Sequence, residues 1–418
     1  MTKLQRIIAS AVASGSLLAS AVLPLMAQTT IVISGNGAGS DNTAVVSQTS
    51  VTTVTQSNEA NVTNQVEAEA ETGENEANFN TGGDVTISTG AASATAVVSN
   101  ELNSNAAEVE CCPTGPVDVE ISGNGAFSDN QVQLGLTSVT TLDQSNSARV
   151  YNEVELDAET GENEANLNTG GDVTIMTGKA NASAVVSTHA NENWAKIAPA
   201  FGGSESSAVS LRILGNGAGS TNWIVANLTK VTELIQDNYA YVRNEVEAEA
   251  ESGENEANFN TGGDVLISTG DAEVGVMVDN EVNFNWAALD CGCAWGLFAK
   301  IEGNGADPEH QEEGPDNGIL ATLTSVQTAG QGNGASLYNE LDEELEADTG
   351  DNETKLNTGE GEGDPSILTG DATVTVGVSN SGNVNQIGGA LPLPWPLPPV
   401  EFNFNWAGFW AFFGLLLG

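Results

Sequence analysis

From Val62 to Glu71 the chain alternates without a break. Val62, Asn64, Val66, Ala68 and Ala70 fall on one side, and Thr63, Gln65, Glu67, Glu69 and Glu71 on the other. A period of two marks a strand with one face buried, whereas a helix would scatter the same apolar residues around its circumference. The alternation returns from Ala92 through Ala94, Ala96, Val98, Asn100 and Leu102. Gly73, Gly82, Gly83 and Gly90 punctuate these runs at turn positions. The pattern predicts an all-β chain.

The pattern is itself repeated. Gly-Asn-Gly-Ala recurs around Asn36, Asn124, Asn216 and Asn304. Thr-Gly-Glu-Asn-Glu-Ala-Asn-Phe-Asn, starting at Thr72, returns from Thr160, from Ser252 and, degraded, from Thr349. A fixed period of this kind is the mark of a repeat architecture. A finer step lies inside it: Asn-x-Ala or Ala-x-Ala begins at Asn36, Asn58, Asn75 and Ala92, in steps of 22, 17 and 17. Asn124, Asn146, Asn163 and Ala180 keep those steps, as do Asn216, Asn238, Asn255 and Ala272. The last set, Asn304, Asn333, Asn352 and Ala372, is stretched by an insertion around Pro308–Gly318.

Inward residues are small and aromatics make up only 5% of the chain, too little bulk for a thick sandwich core. The expected fold is therefore four tandem repeats of ~90 residues, wound as β-solenoid coils of 17–22 residues. Like residues would stack about 4.8 Å apart. A string of four β-sandwich-like domains is the alternative. On this reading 28–110, 118–197, 211–290 and 300–388 are the repeats. Segments 111–117, 198–210 and 291–299 are linkers, and 389–418 is a Pro-rich and apolar tail. Stacked coils let buried amides bond from rung to rung. The candidates are Asn36, Gln56, Asn58, Asn64 and Asn75; Asn124, Gln144, Asn146, Asn152 and Asn163; Asn216, Gln236, Asn238, Asn244 and Asn255; and Asn304, Gln331, Asn333, Asn339 and Asn352.

The series Ser50-x5-Gln56-x-Asn58-x-Ala60-x3-Asn64 resembles the curlin-type repeat of extracellular bacterial β-solenoids. It returns as Ser138, Gln144, Asn146, Ala148, Asn152 and as Ser325, Gln331, Asn333, Ala335, Asn339. Lys230 replaces the serine ahead of Gln236, Asn238, Ala240 and Asn244. Here the Gln-to-Asn turn is shorter than in the curlin pattern, and the closing Gln has become Asn. The chain is also similar to Asn- and Thr-rich secreted repeat proteins of bacteria. Either resemblance implies a cell-surface or matrix role, and neither implies self-polymerisation.

Charge sharpens this picture. Asp and Glu number 57 against 10 Lys and Arg, a formal net charge of −47. That balance argues against nucleic acid or anionic membrane as a partner, since both are met with basic patches. The acids form recurring rows: Glu67, Glu69, Glu71, Glu74, Glu76; Glu155, Asp157, Glu159, Glu162, Glu164; and Glu247, Glu249, Glu251, Glu254, Glu256. Alternate carboxylates on one strand face offer the oxygen ligands Ca²⁺ prefers. They serve equally as a solvated face that prevents edge-to-edge pairing. Asp84, Asp172 and Asp264, each in Thr-Gly-Gly-Asp-Val, partly resemble a calcium-binding turn and otherwise read as turn caps. No cofactor other than Ca²⁺ is suggested.

Cys111, Cys112, Cys291 and Cys293 fall in linkers, and an oxidising compartment favours disulfides between them. In a straight solenoid of short coils, a bridge between the first and third linkers would require the chain to double back. The two histidines, His189 and His310, occupy non-equivalent places, so no Ser-His-Asp or Cys-His set can be argued. An enzyme is not expected, and a polysaccharide-acting β-helix enzyme is the distant third reading. Residues 1–27, with Lys3 and Arg6 ahead of an apolar run, read as an export signal. In the tail, Phe402-Asn-Phe-Asn-Trp406 echoes Val282–Trp286, and the apolar run Trp406–Gly418 is short of the ~20 residues a spanning helix requires. It could touch an envelope or membrane. The expectation is a secreted, acidic structural protein of the cell surface or matrix (adhesin, stalk or filament). It would associate with itself, other surface proteins or glycans. A Ca²⁺-binding surface-layer protein is the alternative.

Overall fold

A computed structural model describes residues 5–11, 20–22, 29–111, 116–198, 208–290, 296–305, 317–359 and 365–388. The described residues contain no helix and are all-β, in parallel sheets. Each pass of the chain uses four strands. A short one comes first: β3 (Thr29–Ser34), β7 (Val117–Ser122), β11 (Ala208–Leu214) or β15 (Gly296–Glu302). After the Gly-Asn-Gly turn comes a very long one: β4 (Asp41–Gly73), β8 (Asp129–Gly161), β12 (Thr221–Glu251) or β16 (Asn317–Asp348). The chain then turns and returns through β5 (Val85–Ser88), β9 (Val173–Met176), β13 (Val265–Ser268) or β17 (Ser366–Leu368). It continues in the same direction through β6 (Ala92–Glu110), β10 (Ala180–Ala198), β14 (Ala272–Leu289) or β18 (Ala372–Ile387).

Like strands pair in parallel, in the orders β15-β11-β7-β3, β16-β12-β8-β4, β17-β13-β9-β5 and β6-β10-β14-β18. The sheets run unbroken from one ~90-residue segment to the next, so the segments are not four separate sandwich domains. The pairing step corrects the expected coil. Asn64 lies on Asn152 and Asn152 on Asn244, separations of 88 and 92 residues. The coil is thus the whole ~90-residue segment, and the inner steps of 17 and 22 residues never stack on one another. Asn58, which begins an inner unit, sits in the middle of β4, where Gln56, Ser57 and Asn58 run straight on without a turn.

Each coil is therefore flat and elongated. The 33 residues of β4 span about 110 Å at ~3.3 Å per residue, while four stacked strands rise only about 15 Å. Opposite the long strands lie the returning ones, and small side chains meet between the two layers. Val66, Ala68 and Ala70 pack on Ala92, Ala94, Ala96 and Val98. Farther along, Val54 meets Ala107 and Val109, and Ala44 and Val46 meet Val117, Val119 and Ile121 of the next coil. In β6 and its stacked partners the alternation is broken once. Asn103, Asn191, Asn283 and Asn383 take left-handed φ values of 57°, 66°, 62° and 58°. This turns two successive residues, Leu102 and Asn103, into the interior.

Two further strands, β1 (Gln5–Ala11) and β2 (Ser20–Val22), lie parallel to β6 on its outer edge, within the segment read as an export signal. Cys111 is disulfide-bonded and buried, and its sulfur lies 3.8 Å from the carbonyl oxygen of Asp290. With a coil of ~90 residues the first and third linkers are only two rungs apart, so the chain need not double back to bring them together. Cys112, Cys291, Cys293, His310, the insertion at 306–316 and the tail 389–418 lie outside the described residues.

Candidate functional site

The acidic rows converge where the long strands end. Gly73, Gly161, Gly253 and Gly350 stack at this point so closely that a Cβ on Gly161 would sit 2.0 Å from the carbonyl oxygen of Gly253. The next residue leaves the strand. Glu74, Glu162, Glu254 and Asp351 all adopt left-handed backbone, with φ of 51°, 47°, 53° and 51°. Such a conformation is uncommon for a residue other than glycine, and here the stacked amides after it hold it. Asn75 donates to Asn163 at 2.9 Å, Asn163 to Asn255 at 2.8 Å, and Asn255 to Asn352 at 2.8 Å.

The turn brings Glu74 back beside Glu71. The carboxylate oxygens of Glu71, Glu74 and Glu162 lie within 4.8 Å of one another, as do those of Glu159, Glu162 and Glu254. Beside them an open groove of about 590 Å³ is lined by Glu74, Glu76, Glu162, Glu164, Glu254, Glu256 and Asp351, with no basic side chain among them. Five carboxylates in and beside this cluster have a raised proton affinity. Burial, reinforced by Glu162, pushes Glu159 up to about 7. Burial, reinforced by Glu254, does the same to Glu251, also to about 7. Glu71 is raised chiefly by the charge of Glu74, and Glu162 by burial and its hydrogen bond with Glu254. Asp157 is raised by burial and by Glu69 across the rung. Like charges at this spacing are relieved either by a shared proton or by a cation.

Of the expected metal ligands, Glu71 and Glu159 join these clusters. Glu67, Glu155 and Glu247 stack in register farther back along the same face, as do Glu69, Asp157 and Glu249. Glu251 stands over Glu159 and continues the row. Asp84 and Asp172 do other work. Asp84 accepts the backbone N–H of Asp172 at 3.1 Å, and Asp172 that of Asp264 at 2.9 Å, tying turn to turn. Asp351 was not among the expected ligands. Its signal was the degraded Thr-Gly-Asp-Asn-Glu, in which Asp replaces the Glu of the other three turns.

The second feature of the site is the amide interior. Asn64, Asn152, Asn244 and Asn339 donate in series at 2.7, 2.6 and 2.7 Å. Asn58 donates to Asn146 and Asn146 to Asn238, while Asn333 accepts from Asn285. Glutamines run the opposite way: Gln331 donates to Gln236, Gln236 to Gln144, and Gln144 to Gln56. Asn124, Asn216 and Asn304 each accept the backbone N–H of the equivalent asparagine one rung below, namely Asn36, Asn124 and Asn216. Three more columns, headed by Asn42, Asn103 and Asn105, were missed because these asparagines fall outside both the 22-, 17- and 17-residue steps and the curlin-like series. His189 sits beside one column, 2.7 Å from Glu192 and 3.4 Å from Glu281. Burial opposes its charge, but its hydrogen bonds to the two glutamates prevail and push it up to about 10.

The chain matches no family model, no curated protein and no solved structure.

Proposed function

We propose that the chain is a secreted structural protein of the cell surface or extracellular matrix, a stiff acidic β-slab that serves as stalk, adhesin or filament component. The observation that carries this reading is the set of rung-to-rung amide columns running through sheets with strands about 110 Å long. Among the described residues each long strand is bonded to the next along most of its length, by backbone and by side chain. Such an element resists bending and shear, and its acidic face favours solubility and discourages sheets from pairing side by side. Residues 1–27 would direct export, and their removal would uncover the outer edge of β6. An epitope-tagged chain expressed in its own host tests the reading. Accumulation at the cell surface or in the matrix, with small-angle scattering giving a particle near 110 Å long, supports it. Retention inside the cell, or a compact particle, rejects it.

The carboxylate clusters favour a second reading, a surface-layer protein whose acidic turn takes Ca²⁺. Three acids within 4.8 Å of one another supply the flexible oxygens this ion prefers. Thermal unfolding with millimolar Ca²⁺ and with chelator separates the two readings, since a purely structural acidic face would melt at the same temperature in both.

A further inference from the structure

The last coil ends in an unfinished surface. Val374, Val376 and Val378 of β18 are 44%, 46% and 47% exposed, while Val274, Val276 and Val278 directly beneath them are 2%, 3% and 0% exposed. Asn383 and Asn385 accept the amides of Asn283 and Asn285, each at 2.9 Å. In every lower rung such asparagines donate onward to the next, and among the described residues no rung lies beyond β18. Open parallel edges of this kind are ready to take another strand.

The chain carries a strand that fits. In β14 the sequence Glu281-Val282-Asn283-Phe284-Asn285-Trp286-Ala287 supplies two asparagine columns and an aromatic one, and Glu401-Phe402-Asn403-Phe404-Asn405-Trp406-Ala407 differs from it only at the second position. In the register β14 keeps on β18, Asn403 falls on Asn383 and Asn405 on Asn385. Asn403 would then fill the left-handed slot that Asn103, Asn191, Asn283 and Asn383 occupy in the rungs below, a conformation asparagine tolerates better than most residues. The one difference suits the site. The inward row Leu102, Ala190, Val282 ends on Gly382, which leaves room above the partly buried Leu337, and Phe402 is the residue that would lie over it. The aromatic column of Trp194 and Trp286, with centroids 5.7 Å apart, is interrupted by Gln386, and Trp406 would resume it.

The connection is long enough. A parallel strand needs a crossover of about a dozen residues or more, and residues 388–400 are available. They must carry the chain back about 20 Å, roughly six residues of strand at ~3.3 Å each. The Pro-rich stretch Leu391–Val400 covers that with ease at ~3.1 Å per residue.

We propose that residues 401–407 add to the free edge of β18 as a parallel capping strand of the same chain. The cap closes the columns that end on Asn383 and Asn385 and covers Val384 and Ile387, 47% and 54% exposed at the C-terminal half of β18. Hydrogen exchange on the full chain, compared with an Asn403→Asp, Asn405→Asp variant, tests this. In the parent the amides of residues 381–387 that do not bond β14 should exchange at least tenfold slower than in the variant, with β10 and β14 unchanged. Equal rates overturn the proposal, including the case in which the tail binds lipid vesicles and leaves β18 unprotected. Protection that rises with protein concentration also overturns it, because the strand would then come from a second copy. A photo-crosslinking residue at position 402 gives an independent reading. Intramolecular products on residues 381–387 or on Leu337 support the cap, and products elsewhere reject it.

Discussion

Asn152 donates its side-chain amide to the oxygen of Asn244 at 2.6 Å, although 92 residues of chain separate them. Asn244 passes the bond on to Asn339 at 2.7 Å and also reaches Asn280 at 3.2 Å across the slab. Both Asn152 and Asn244 are fully buried. Asn244→Ala would strand the Asn152 amide as well as remove its own bonds, so a loss of about 1–3 kcal/mol is expected. Asn64→Ala, at the partly exposed first rung, should cost less. Urea unfolding of the two variants against the parent measures the difference, and equal costs would show that the columns do not act as continuous series.

Strand faces were legible in the sequence because burial here has a strict period of two. Val66, Ala68 and Ala70 are buried and Glu67, Glu69 and Glu71 exposed, as their alternation requires. The length of the coil was not. Asn-x-Ala marks a turn at Asn36 and Asn75 but the middle of a strand at Asn58, since an asparagine amide is satisfied equally by a turn or by a column. A better guide was the absence of punctuation: no Gly or Pro occurs between Asp41 and Thr72, where a turn near residue 57 would ask for one. The acidic clusters were half legible. Strand spacing placed Glu71 and Glu159 on one face, but only the left-handed turn at Glu74 and Glu162 folds further carboxylates back onto them.

Acid should stabilise this protein. Glu159 and Glu251 have folded-state pKa values of about 7, raised from 4.5. The folded state therefore holds protons that the unfolded state has released, and stability falls as pH rises between those limits. Melting temperature is expected to climb as pH is lowered from 8 to 5. Glu159→Gln with Glu251→Gln should raise the melting temperature at pH 8 and flatten the pH dependence in that window. A parent curve that is flat or falls toward pH 5 would contradict the assignment.

His189 acts with the same sign over a higher pH window. Its pKa, about 10 when folded against an ordinary 6.5, means that protonation favours the fold. The stabilisation is complete below pH 6.5 and is lost as pH rises through about 10. His189→Gln should therefore destabilise the protein most at pH 6–7, with the gap to the parent narrowing toward pH 10. The imidazole resonances should report a charged ring at pH 8. A neutral ring at that pH would mean that Glu192 and Glu281 do not hold it as the geometry requires.

Gly161 sets how closely the acidic turns stack. Any Cβ there meets the Gly253 carbonyl at 2.0 Å, and this atom belongs to backbone that is itself paired to the next rung. It cannot yield as a flexible side chain would. Gly161→Ala should thus cost at least the ~1–3 kcal/mol of overpacking, and it should pry apart Glu159, Glu162 and Glu254. Gly135 provides the control, because nothing lies within 4 Å of a Cβ added there and alanine should be tolerated. If separation of the carboxylates is the consequence, Gly161→Ala will also lower the raised pKa of Glu159, measurable by carboxylate carbon shifts through a pH titration. A variant that melts like the parent and keeps that titration would show that the turns are not held at the spacing the stacked glycines imply.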